Sequence, residues 1–64
     1  MFKITNNVED KVLLDTTNRF EFINFVQMIF MENGDSPYMQ KPESVMGCKR
    51  YIEEYCDNLD IEIS

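Results

Sequence analysis

The segment from Asn18 to Asn33 restricts the fold more than any other part of this chain. Placed at 100° per residue, Ile23, Phe30, Val26, Phe22, Ile29 and Phe25 fill one continuous arc of about 160°. A helix with so broad an apolar face is a core element and has to be buried against further layers. Asn18 is a good N-cap, Glu21 stands three residues later in the capping-box position, and Gly34 can take the left-handed conformation that stops the helix. The opposite side carries Glu21, Asn24, Gln27 and Glu32, yet Phe20, Met28 and Met31 sit among these polar residues. Met and aromatic side chains on an otherwise polar helix face are typical of protein interfaces. The competing reading is that the Pro37–Lys41 loop covers them with Tyr38 and Met39.

The flanking segments supply the other layers. Phe2, Lys3, Ile4 and Thr5 alternate apolar and polar with the period of a half-buried strand. Asn6 and Asn7 form a turn, and Lys11 to Leu14 reads as a second strand ending at Asp15, so that the two strands make an antiparallel hairpin. A second helix is predicted from Pro42, which suits a first turn because its missing N–H has no partner there anyway. Val45, Cys48, Ile52, Tyr55, Cys56 and Leu59 recur at helical spacing along it, and Asn58 closes it. Gly47 weakens this helix by roughly 1 kcal/mol relative to Ala and suggests a close approach to the backbone. Leu59 to Ser64 alternate again as a third strand. The order is therefore ββααβ, an α+β fold with two helices on one face of a three-stranded sheet. Phe2, Ile4, Ile61 and Ile63 face the helices, and Lys3, Asp60 and Glu62 face outward. A third strand beside the second is expected to be antiparallel, and beside the first parallel.

At 64 residues the chain makes a single domain, residues 1–64, because two cores of half this size would bury too little apolar surface to offset the entropy of ordering. Cys48 and Cys56 are separated by eight residues of expected helix, a rise of about 12 Å, whereas bridged Cα atoms lie within about 7 Å. They are read as reduced, buried thiols, which fits a reducing compartment. Met1 to Thr5 shows no signal peptide, and the apolar-rich stretch Phe20–Met31 is too short and too interrupted for a bilayer. A soluble, cytoplasmic protein is expected.

Catalysis finds little purchase here. The chain has no His to serve as base to a nucleophile, and its only glycines, Gly34 and Gly47, form no phosphate-binding loop. Asn33 to Ser36 brings one carboxylate and lacks the spacing of a calcium loop. No enzyme activity, metal or cofactor is expected.

Charge points to a partner instead. Net charge is −6, from twelve acidic and six basic residues, which disfavours direct binding to nucleic acid or to an anionic membrane. After Arg50 no basic residue occurs, while Glu53, Glu54, Asp57, Asp60 and Glu62 follow. One negative patch of this kind imitates a run of phosphates and fits a basic nucleic-acid channel. The plainer reading takes these acids as the wet side of a helix and an edge strand, discouraging aggregation. Abundant Asn, Ile, Phe, Tyr, Met and Lys with no Ala, His or Trp suggests an A/T-rich genome such as a phage's or that of its host. The expected function is thus a small acidic inhibitor or regulator, encoded by a phage or mobile element, that blocks a host nucleic-acid-handling protein. The acidic residues would engage the basic cleft, and Phe20, Met28 and Met31 would anchor it. The alternatives are a homodimeric accessory subunit associating through those apolar residues and an antitoxin-like partner.

Overall fold

In the computed structural model, which describes residues 1–34 and 40–64, the alternating N-terminal residues form β1 (Phe2–Asn6) and the aliphatic run forms β2 (Lys11–Thr16). The Asn6 side-chain oxygen accepts the N–H groups of Val8 (2.9 Å) and Glu9 (3.1 Å), and Asp10 takes φ 54°, which an aspartate tolerates. Pairing runs from Phe2–Thr16 through Ile4–Leu14 and then slips, so that Thr5 opposes Val12. This bulge matters for the core, because strict alternation would send Leu13 and Leu14 to opposite faces. With it, both pack against the buried cluster.

Helix α1 (Arg19–Glu32) starts and stops as its sequence implies. The Asn18 side-chain oxygen accepts from the N–H groups of Phe20 (2.8 Å) and Glu21 (3.4 Å), and Gly34 sits at φ 80°. The capping box is only half made. The Asn18 N–H donates instead to Thr16 Oγ1, at the end of β2, at 3.1 Å.

Helix α2 (Val45–Tyr55) begins later and ends earlier than expected. Ser44 is the N-cap, its Oγ accepting the Gly47 N–H at 3.0 Å, while Pro42 precedes the helix and its carbonyl accepts from Gln27 Nε2 at 2.8 Å. The close approach anticipated at Gly47 is this hydroxyl: a Cβ there would lie 3.1 Å from Ser44 Oγ. Cys56 is the C-cap, and the Leu59 N–H returns to the Cys56 carbonyl (3.0 Å) in a turn that delivers β3 (Leu59–Ile63). Leu59 thus opens the strand rather than closing the helix. Tyr55, expected on the core face, is 57% exposed, and Tyr51 is buried in its stead. The reason is that Tyr51 faces the last turn of α1, edge-on to Phe30 at 5.5 Å, and Tyr55 stacks on it from outside at 5.6 Å.

The sheet order is β2-β1-β3, with β3 antiparallel to β1 in the register Phe2–Ile63, Ile4–Ile61 and Asn6–Leu59. The expectation of a parallel third strand beside the first takes the helices as an up-and-down pair. They are not one. Asn33, at the end of α1, donates from Nδ2 to Tyr51 Oη (3.1 Å) and to Cys56 Sγ (3.9 Å), so both helices run toward the same end of the sheet. From that end β3 has only one direction to run. Ile4, Phe22, Val26, Phe30, Cys48, Tyr51, Ile52 and Cys56 form the core, with Phe2 stacked on Phe22 at 5.0 Å. Full burial of a side chain such as Phe22 or Ile52 contributes about 1.5–3 kcal/mol. Ile61 packs on this core, but Ile63, at the sheet margin, is 39% exposed. Among the described residues no helix is long and apolar enough to cross a membrane.

Candidate functional site

The tight turn between α2 and β3 brings together acids that are spread over the sequence. Glu53, Asp57, Asp60 and Glu62 line one open hollow of ≈ 540 Å³, floored by Cys56, Leu59 and Ile61. Glu54, the fifth expected member, does not line it. It lines a different hollow, with Arg50 and Tyr55. The turn itself is held from the far hairpin, because Asn7 Nδ2 donates to the Asp57 carbonyl (3.0 Å) and to Asp60 Oδ1 (3.2 Å), and the Asn7 N–H to the Asn58 carbonyl (2.9 Å). Sequence reading took Asn7 only as a turn former, since nothing local to it points fifty residues ahead. The one ion pair found among the described residues is Lys49 Nζ to Glu53 Oε1, at 3.9 Å and exposed on both sides, which is worth well under 1 kcal/mol. The acids are therefore only partly compensated, by Lys49 beside Glu53 and by Lys3 opposite Glu62 across the sheet.

A second hollow of ≈ 630 Å³ continues the first along β3 and shares Ile61 and Glu62 with it. Its walls are mainly apolar, with Val45 and Met46 from α2 facing Ile61 and Ile63. Met46 is 69% exposed. It escaped the sequence reading because it sits on the polar side of α2, a signal of the same kind as that given by Met28 and Met31.

Phe20, Met28 and Met31 are exposed at 62%, 60% and 66% and share the outer side of α1, remote from β3 because α1 packs over β2. The Arg19 guanidinium lies 5.1 Å from the centre of the Phe20 ring. The expected cover by Tyr38 and Met39 lies outside the described residues, as do Asp35 and Ser36 of the short segment compared with a calcium loop. Among the described residues no three His, Cys, Asp or Glu side chains are grouped to hold a metal ion.

Both thiols are free and buried. Burial pushes Cys48 up to about 11. It raises Cys56 as well, against hydrogen bonds from Tyr51 and Asn33 that favour the thiolate. Neutral, shielded thiols of this kind are poor nucleophiles. Scans against protein-family models, curated proteins and solved structures give no match to this chain.

Proposed function

We propose that this chain is a small protein-binding inhibitor or regulator whose α2–β3 rim docks on a basic surface of a partner, of the sort that nucleic-acid-handling proteins present. One observation carries the reading: Glu53, Asp57, Asp60 and Glu62, drawn from a helix, a turn and a strand, line a single hollow with Lys49 as their one paired cation. Acids placed merely to keep a surface wet have no need to converge. A rim of this charge raises the rate of encounter with a basic cleft and gives specificity through complementary potential. The A/T-rich composition supports a phage or mobile-element origin and hence a host protein as target.

The test uses the double variant Glu53→Lys, Asp57→Lys, which keeps the Asn7–Asp60 bond and leaves Glu62 opposite Lys3. Affinity for a basic nucleic-acid-binding protein retained from a host lysate falls at least tenfold, while circular dichroism and melting stay close to wild type. Unchanged affinity removes the acidic rim from the function.

A second reading is favoured by the exposure of Phe20, Met28 and Met31 on one helix side. In it the chain is a homodimeric accessory subunit that associates through α1 and leaves the acids solvated.

A further inference from the structure

We propose that the outer edge of β3 accepts an extended segment of a partner protein as a fourth strand, one in which apolar side chains alternate with lysine or arginine. This rests on the protein-binding reading above and names the chemistry of its occupant.

The main chain supplies the first argument. Ser64 N–H bonds to the Met1 carbonyl (3.0 Å) at one end of the β1–β3 ladder, and Asn7 N–H to the Asn58 carbonyl (2.9 Å) at the other. Bonded and unbonded pairs alternate in an antiparallel ladder, which makes Lys3–Glu62 and Thr5–Asp60 the bonded pairs in between. The N–H and C=O groups of Ile61 and Ile63 then point away from β1, along an edge that no other strand among the described residues covers. The Leu59 N–H is already taken by the Cys56 carbonyl, so the open stretch is Ile61 to Ile63. Such an edge is a template for strand addition, in which main-chain bonds give affinity and alternating pockets give specificity.

The side chains on either side of that edge select the occupant. On the helix side, Val45, Met46, Ile61 and Ile63 form the apolar part of a hollow, lined also by Lys49 and Glu62, into which every second residue of an added strand would point. On the open face stand Asp60 and Glu62, within cross-strand distance of the residues between. A lysine or arginine there meets a carboxylate, and an acidic residue is repelled. A second copy of this chain is a poor occupant for the same reason. Symmetric pairing about Ile61 would set Asp60 of one copy opposite Glu62 of the other, twice, and like charges directly opposite destabilise a pair. The two acids thus reject self-association and leave the edge open to a basic strand.

The probe is a blocked hexapeptide of alternating valine and lysine, titrated into the isotopically labelled full chain and followed by amide chemical shifts and hydrogen exchange. Saturable binding is expected, with exchange at the Ile61 and Ile63 amides slowed at least tenfold, and no response to the valine–glutamate analogue. Ile63→Pro removes an outward N–H and one wall of the apolar hollow but no ladder bond, so the fold persists and affinity falls at least tenfold, from the lost main-chain bond and the lost side-chain contact together. Shifts absent up to millimolar peptide, or Ile61 and Ile63 amides that exchange as fast in the complex as out of it, overturn the proposal. If Ile63→Pro binds like wild type while the charge-reversed rim does not, docking is by charge alone. The added strand then fails and the acidic-rim reading stands. If neither variant changes binding, both fail. Concentration-dependent protection of Ile61 and Ile63 without peptide would make the occupant a second copy and also overturn it.

Discussion

At the scale of single residues, the two thiols show how far burial can be read and where it stops. Cys48 sits on the apolar side of its helix in the sequence, and the fold leaves it 0% exposed. Cys56 looks equivalent by spacing but is the C-cap of α2, where it also meets Asn33. Because the folded pKa of Cys48 is raised from 9.0 to about 11, the folded state holds a proton that the unfolded state gives up. Its contribution is complete below pH 9 and is lost as pH rises toward 11, with a limiting slope of about 1.4 kcal/mol per pH unit. Cys48→Ala should cost about 0.5–1.5 kcal/mol at pH 7 through lost packing. Denaturant melts across pH 7 to 11 should then show the gap between variant and wild type narrowing above pH 9. A gap that stays constant means Cys48 ionises as freely folded as unfolded. The acidic residues were equally open to sequence reading as residue types. Their grouping was not, since whether Glu53 or Glu54 faces β3 depends on the rotation of α2, and that is decided by Tyr51 packing on Phe30.

At the scale of elements, α1 was legible almost to its ends because its caps and its apolar arc agree. Helix α2 was not, because Pro42 and Ser44 both announce a start. The structure resolves the conflict through hydrogen bonds that the sequence leaves unassigned: Gln27 claims the Pro42 carbonyl, and Ser44 takes the Gly47 amide. Gly47 is then caught between two effects of similar size. Alanine there gains roughly 1 kcal/mol of helix propensity, but its Cβ would press on Ser44 Oγ at 3.1 Å and disturb a cap worth about 1 kcal/mol. Gly47→Ala alone should be near neutral. Ser44→Ala alone should destabilise by about 1 kcal/mol, and adding Gly47→Ala to it should recover most of that loss, since the obstructing oxygen has gone. Urea melts of the four proteins measure the coupling, and strict additivity would mean that the hydroxyl and the glycine do not sense each other. The direction of β3 was illegible for a related reason. It depends on whether the two helices run in the same sense, which no local pattern between Asn33 and Ser44 specifies.

At the scale of the whole molecule, charge and size act together. The chain measures 30 × 25 × 16 Å and carries −6, with one exposed ion pair found among the described residues. The Debye length is about 30 Å at 0.01 M salt and about 8 Å at 0.15 M, so at low salt every carboxylate feels every other, and at moderate salt only its neighbours. Self-repulsion opposes the compact state, and the free chain should therefore melt a few degrees higher at 0.3 M than at 0.01 M salt, the scale that about 1 kcal/mol produces in a domain of this size. The same salt should weaken docking of the acidic rim on a basic partner, because there the interaction is attractive. Assembly through Phe20, Met28 and Met31 goes the other way, since two copies of like charge approach more easily once screened. Sedimentation of the chain alone and binding to its partner, each at both salts, therefore separate the two readings by sign. A complex that weakens with salt while the free chain gains stability places function at the α2–β3 rim. A self-complex that tightens with salt, and is abolished by Met28→Lys, places it on α1.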